Sequence, residues 1–175
     1  TVRVKGLDAN QSFIQEDVEL DGTTQVVLTQ QFFRVNSVEV LTAGSGGVNA
    51  GVISVRHTST VIAAIEVGLN VSRSAIFSTP ANISNWIIPM IYCAVTNAAN
   101  GVANFTLNVR PIGGVWTPKW GISQHGVNDP ASSTPLGVPI YIPGGSDIRL
   151  TCAVTADNTA VRAGFDLLGQ VHPFA

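Results

Sequence analysis

Ala103-Asn104-Phe105-Thr106-Leu107-Asn108-Val109-Arg110 sets every odd position apolar and every even position polar. A period of two sends alternate side chains to opposite faces, so this stretch predicts a β-strand with one buried face and one wet or contacted face. Three more rows obey the same rule: Ile148, Leu150, Cys152 and Val154; Val161, Ala163, Phe165 and Leu167; and Val61, Ala63, Ile65 and Val67. Residues 86–95 are apolar on both parities instead. That reads as a strand covered on both faces at the centre of the fold, with Pro89 marking a bulge or an edge departure. No long window keeps apolar residues at helical spacing without a Gly, Pro or β-branched interruption, so helix is expected to be absent or confined to single turns.

Turn chemistry punctuates the strands at Asp21-Gly22, Gly44-Ser45-Gly46-Gly47, Asn100-Gly101, Gly113-Gly114, Gly144-Gly145 and Asp157-Asn158. Asp-Gly and Asn-Gly suit tight hairpins because both residues tolerate positive φ. Roughly ten strands so separated predict an all-β fold, an antiparallel jelly-roll-like β-sandwich. The 175 residues fit a single domain over 1–175, domains running to roughly 100–200 residues. The stretch 121–139, with Pro130 and Pro135 around a Ser-Ser-Thr run, reads as an irregular contact arm.

Nine Lys and Arg stand against eleven Asp and Glu, a net charge of −2. The only lysines are Lys5 and Lys119, so no basic field is available for a nucleic-acid backbone and nucleic acid is not an expected partner. Charged residues are 11% of the chain, against about 25% in ordinary soluble domains; Thr, Ser, Asn and Gly supply the polarity. A neutral surface of this kind suits packing against other protein. Mean hydropathy is +0.31, yet no run approaches the roughly 18 apolar residues of a membrane span. The apolar excess must be buried in a core or in contacts. Thr-Val-Arg-Val-Lys at the start has neither a basic region nor an apolar run behind it, so no signal peptide is expected within this sequence.

Cys93 and Cys152 each lie in an apolar strand-like run, outside any CxxC and away from histidine. Both read as buried free thiols in a reducing compartment rather than metal ligands. Gly44-Ser45-Gly46-Gly47-Val48-Asn49-Ala50-Gly51 has the look of a phosphate cradle, but Val52-Ile53-Ser54-Val55-Arg56 follows as a strand where the cradle needs a helix. It reads as a turn. His57, His125 and His172 are scattered and no GxSxG elbow accompanies them. Asp8, Asp21, Asp129 and Asp157 sit at turns, and Asp147 and Asp166 take outward parities. Glu16 shares a parity with Ile14, Val18 and Leu20 and reads as a paired edge-strand charge rather than a catalytic acid. Asp157-Asn158 reads as a turn rather than a calcium site. No catalytic residue, cofactor or metal is expected. Sequons at Asn10, Asn70, Asn82 and Asn104 carry little information at this Asn, Ser and Thr content.

The aromatic residues carry the contact expectations. Trp116-Thr117-Pro118-Lys119-Trp120 places two indoles near a Gly-Gly turn, where they suit sugar stacking, a neighbouring subunit or the core. Phe32-Phe33 and the terminal His172-Pro173-Phe174-Ala175 raise the same choice. Trp116, Trp120, Phe32, Phe33 and Phe174 are therefore the candidate partner contacts.

Gly6-Leu7-Asp8 through Phe33-Arg34-Val35-Asn36-Ser37-Val38, followed by Ala43-Gly44-Ser45-Gly46-Gly47-Val48-Asn49-Ala50-Gly51, resembles the opening of virion structural proteins of tailed bacteriophages. Leu107-Asn108-Val109-Arg110-Pro111-Ile112-Gly113-Gly114-Val115-Trp116, Asp157-Asn158 and Ala163-Gly164-Phe165-Asp166 extend the likeness. Within that group, size and composition most resemble jelly-roll capsid cement or decoration proteins. The resemblance implies a non-enzymatic protein on the capsid exterior, assembled in the bacterial host cytoplasm. It would bind the major capsid protein as a homodimer or homotrimer and stabilise the shell. A head-fibre, neck or tail component would share these features. A carbohydrate-binding, lectin-like jelly roll is the alternative from another class, motivated by Trp116, Trp120, Tyr92 and Tyr141. A hydrolase would require two carboxylates about 5–9 Å apart in one cleft.

Overall fold

The computed structural model describes residues 1–97, 101–125, 132–157 and 159–170, and these form strands and turns with no helix. They group into two compact units, Thr1–Pro80 and Ala81–Ala175. The all-β expectation holds, as a set of antiparallel sheets.

The first unit holds β1 (Val2–Leu7), β2 (Phe13–Val18), β3 (Arg34–Val40), β4 (Ile53–His57), β5 (Thr60–Ile65) and β6 (Ile76–Ser78). One sheet runs β2-β1-β3 and β4 pairs with β5, all antiparallel. Alternation in β1 sends Val2 and Val4 inward, and the intervening Arg3 and Lys5 form ion pairs with Asp17 and Glu39, both at 2.6 Å. Val4, Val38 and Ile65 centre the core, with Phe32, Val35, Ile53 and Val55 packed against them. The row Val61, Ala63, Ile65 and Val67 keeps its phase only in part. A register shift between Val55 and Arg56 pairs Arg56 with Val61, and Val61 and Val67 are exposed. Buried Asn36 acts as a surrogate strand residue, its amide donating to Ser78 O at 2.9 Å and its Oδ1 accepting from Ser78 N–H at 2.8 Å. Gly6 is required by a close approach, since a Cβ there would stand 1.9 Å from Arg34 O.

The second unit holds β7 (Asn85–Asn97), β8 (Val102–Pro111), β9 (Thr117–His125), β10 (Ser132–Pro143), β11 (Ser146–Val154), β12 (Ala160–Phe165) and β13 (Leu168–Gln170). β7 is flanked by β10 on one side and by β12 and β13 on the other, while β8 lies between β11 and β9. The strand over 103–110 falls out as read, with Ala103, Phe105, Leu107 and Val109 buried and their neighbours half-buried or exposed. Ile148 and Leu150 bury the matching parity of β11, and Trp86, Ile88, Ile91, Cys93 and Val95 that of β7. Each fully buried Ile, Leu or Phe here contributes about 1.5–3 kcal/mol.

β7 explains its own two-parity pattern. Its buried positions run 86 and 88, then 91, 93 and 95, so the alternation changes phase at Pro89. Both neighbours break there. β10 slips between Pro135 and Ile140, while β12 ends opposite Ile91 and β13 begins opposite Ile87. Proline lacks the N–H that a continuous ladder needs, and the fold absorbs it as a break in both neighbouring ladders, with the extra residues, 136–139, on β10 rather than on β7.

Two expectations are corrected. The stretch 121–139 is not an irregular arm where described, because 121–125 belong to β9 and 132–139 to β10. Both are edge strands of their sheets, where prolines cost no inward hydrogen bond; residues 126–131 lie outside the described residues. Cys93 is buried as expected, but Cys152 is exposed. Burial along β11 stops after Leu150, because alternation selects a face without fixing how far along the strand its cover extends.

Candidate functional site

Trp116 and Trp120 share a parity in the sequence but lie on opposite faces. The β8–β9 hairpin, closed by a turn with Gly113 at φ 82°, pairs Leu107 with Trp120 and Asn108 with Pro118, leaving Lys119 as the extra residue of a bulge. Directly opposed residues share a face, so Trp120 follows buried Leu107 to the core side, half-buried. Trp116 instead meets the guanidinium groups of Arg110 and Arg149, whose Cζ atoms stand 4.4 and 4.1 Å from its ring centroid. Arg110 also grips Asp147, with Nε and Nη2 each 2.9 Å from Oδ2, and the Asp147 side chain is only 4% exposed. β8 supplies Arg110, β11 supplies Asp147 and Arg149, and the register sets Asp147 opposite Arg110. The result is a compact cluster of two cations, one carboxylate and an indole on the face away from the core.

The other predicted contacts are dispersed. Phe32 is packed against the core of the first unit. Phe33 is exposed, with the Arg34 guanidinium 4.2 Å from its ring centroid. Phe174 lies outside the described residues. Tyr92 and Tyr141 occupy the non-core face of the sheet built on β7. The Tyr92 hydroxyl donates to Asp166 Oδ2 at 2.5 Å, an interaction that raises its pKa above the usual phenol range. Trp116, Trp120, Tyr92 and Tyr141 therefore do not converge on one platform.

Tyr141 has different neighbours from those the sequence suggests. It pairs with Ile87, which pairs on its other side with Leu168. Ile87 has the parity opposite to buried Trp86 and Ile88, so the three form an apolar row across the non-core face. Tyr141 is 66% and Leu168 54% exposed. The sequence does not disclose this row, because its members come from three separated strands and because the two-parity apolar pattern of 86–95 reads as cover on both faces, whereas Ile87 is only half-buried and Tyr92 is exposed. Nor does it disclose the Arg110–Asp147–Arg149 cluster, for the related reason that β9 and β10 intervene between β8 and β11.

The remaining singled-out residues have structural occupations. Glu16 stands opposite Val4 on edge strand β2. It accepts hydrogen bonds from Thr29 N–H at 2.8 Å, Thr29 Oγ1 at 2.9 Å and Gln30 N–H at 2.9 Å. Desolvation pushes its pKa up, but these three donors together hold it below the usual carboxylate range. Burial drives the Cys93 thiol to about 11, with the nearby Cys152 adding to the shift, and desolvation also raises Cys152. Neither thiol is activated. The Asn70 sequon amide donates to Gly47 O at 3.0 Å. Among the described residues no group of three His, Cys, Asp or Glu side chains is placed to hold a metal ion.

The chain matches no protein-family model, and it has no significant match among curated proteins or among solved structures.

Proposed function

We propose that this chain is a non-enzymatic structural protein of a bacteriophage particle, a cement or decoration protein that docks on the outer capsid surface as a homodimer or homotrimer. The observation that carries this reading is the apolar row Tyr141, Ile87 and Leu168 on the non-core face of a regular sheet. An exposed apolar strip across three strands favours contact with protein. A chain with 11% charged residues can make such contacts with little ion desolvation. The first unit likewise exposes Val27, Val52, Val61 and Ile62. Self-association through the row leaves other surfaces for the major capsid protein, and many copies on one shell hold by avidity where a single contact is weak.

A jelly-roll-like sandwich is the finer architecture of this proposal. It is supported by the way the second unit changes sheet: β7, then β8 and β9 in the other sheet, β10 back beside β7, β11 across to β8, and β12 and β13 back again. Repeated crossing of this kind builds Greek-key sandwiches.

The test is immunogold labelling of DNA-filled heads from the source culture with antibody raised against the purified chain, paired with co-sedimentation of added chain with heads. Label over the head exterior and saturable co-sedimentation are expected. Label confined to tails, or none on particles, overturns the reading.

A further inference from the structure

We infer that Arg149, stacked on Trp116, is a binding site for a carboxylate ligand. Arg149 Nε is buried and has no hydrogen-bond acceptor among the described residues. Buried donors are almost always satisfied, and a guanidinium left short of acceptors calls for a partner that supplies them. The neighbouring groups are already engaged. Asp147 is held by Arg110. Asn108, directly opposite Arg149, turns its amide nitrogen to Thr106 O at 3.2 Å and Thr151 Oγ1 at 3.3 Å, and its oxygen does not accept from Arg149 Nε. Arg110 is paired with Asp147, whereas Arg149 has no carboxylate partner among the described residues.

The chemistry selects the ligand class. One uncompensated cation matches a monoanion, and the planar guanidinium fork matches the two oxygens of a carboxylate. A phosphate dianion would bring its second charge close to the Asp147 carboxylate, two residues along the same face of β11. The indole at 4.1 Å fixes the guanidinium plane, so less side-chain entropy is lost when the ligand binds. The carboxylate can come from a small acid or from an acidic side chain of a partner protein. This site stands whether or not the chain assembles on a particle.

The test is NMR titration of the full chain, following the arginine Nε–Hε and tryptophan Nε1–Hε1 signals, with the Arg149 signal assigned by its loss in Arg149→Lys. Acetate, N-acetyl-aspartate amide, an acidic peptide, inorganic phosphate and chloride are added at matched ionic strength. Saturable movement of the Arg149 and Trp116 signals with the carboxylates is expected. The Trp116 response should be weakened on the order of tenfold in Arg149→Lys. Tighter binding of the peptide than of the small acids identifies a protein side chain as the source; equal binding identifies a free acid. Movement that chloride reproduces, tighter binding of phosphate than of carboxylate, or no saturable movement overturns the assignment. Should Arg149→Lys fail to fold, Trp116→Phe, which keeps an aromatic face, serves as the second variant and must also weaken binding.

Discussion

Asn49 and Asn70 hold each other reciprocally. The N–H of Asn49 donates to Asn70 Oδ1 and the N–H of Asn70 to Asn49 Oδ1, both at 3.0 Å. The Asn49 amide then reaches Gly51 O and Glu66 O, each at 2.9 Å. Asn70 adopts φ 58°, a left-handed conformation that Asn tolerates better than most residues. The glycine-rich loop is thereby a clamped turn. Asn49→Ala strips partners from several part-buried backbone groups at once and should cost roughly 2–3 kcal/mol in urea unfolding. Asn49→Ala combined with Asn70→Ala should cost clearly less than the sum of the single changes, because the two share one network.

Glu16 makes stability depend on pH in a defined direction. Its folded pKa lies below the unfolded value of about 4.3, against a desolvation that opposes the shift, because Thr29 and Gln30 donate to the ionised form. Its contribution is therefore complete above the unfolded pKa and disappears as pH falls through the folded one. Asp17, held low by its hydrogen bond and attraction to Arg3, works in the same sense but is exposed and screened by salt. Glu16→Gln should flatten the acid limb of the stability profile, and the amides of Thr29 and Gln30 should lose their downfield NMR shifts together.

Gly6 and Gly44 should separate sharply. A Cβ at Gly6 meets Arg34 O and the Phe32 ring, while one at Gly44 meets nothing within 4 Å. Gly6→Ala should cost about 1–3 kcal/mol, an overpacking that backbone cannot relieve cheaply. Gly44→Ala should stay within about 0.5 kcal/mol of the parent.

The two cysteines should react in sequence. Cys152 is exposed and Cys93 buried, with its pKa pushed to about 11. A thiol reagent at neutral pH should label Cys152 slowly in the native protein and Cys93 only on unfolding, as peptide mass spectrometry would read directly. Rapid native labelling of Cys93 would contradict the packing of β7 against its partner strands.

What the sequence discloses here is mostly periodic. The strand over 103–110, the break at Pro89, the turn at Gly113 and the edge position of Glu16 follow from alternation and local backbone preference, but the partners of Glu16, neutral donors of Thr29 and Gln30 in place of the expected opposite charge, do not. Register is a different kind of information. Pro118 marks the place of the bulge at Lys119 but not the shift of face by which it separates Trp116 from Trp120. Long-range pairing assembles Arg110, Asp147 and Arg149, and it also lines up Tyr141, Ile87 and Leu168. Both candidate surfaces thus depend on which strands are neighbours, which alternation within one strand cannot specify. The same limit accounts for Cys152, whose parity is that of the core although the cover ends before it.

Sedimentation velocity on the purified chain and on a Leu168→Glu variant tests most directly whether the exposed row is a contact between copies. The parent should sediment as a dimer or trimer. The variant should sediment as a folded monomer of 18.3 kDa, since a charge placed within an apolar contact leaves it buried and unpaired. A parent that is monomeric at every concentration, or a variant that associates as strongly as the parent, would contradict the account.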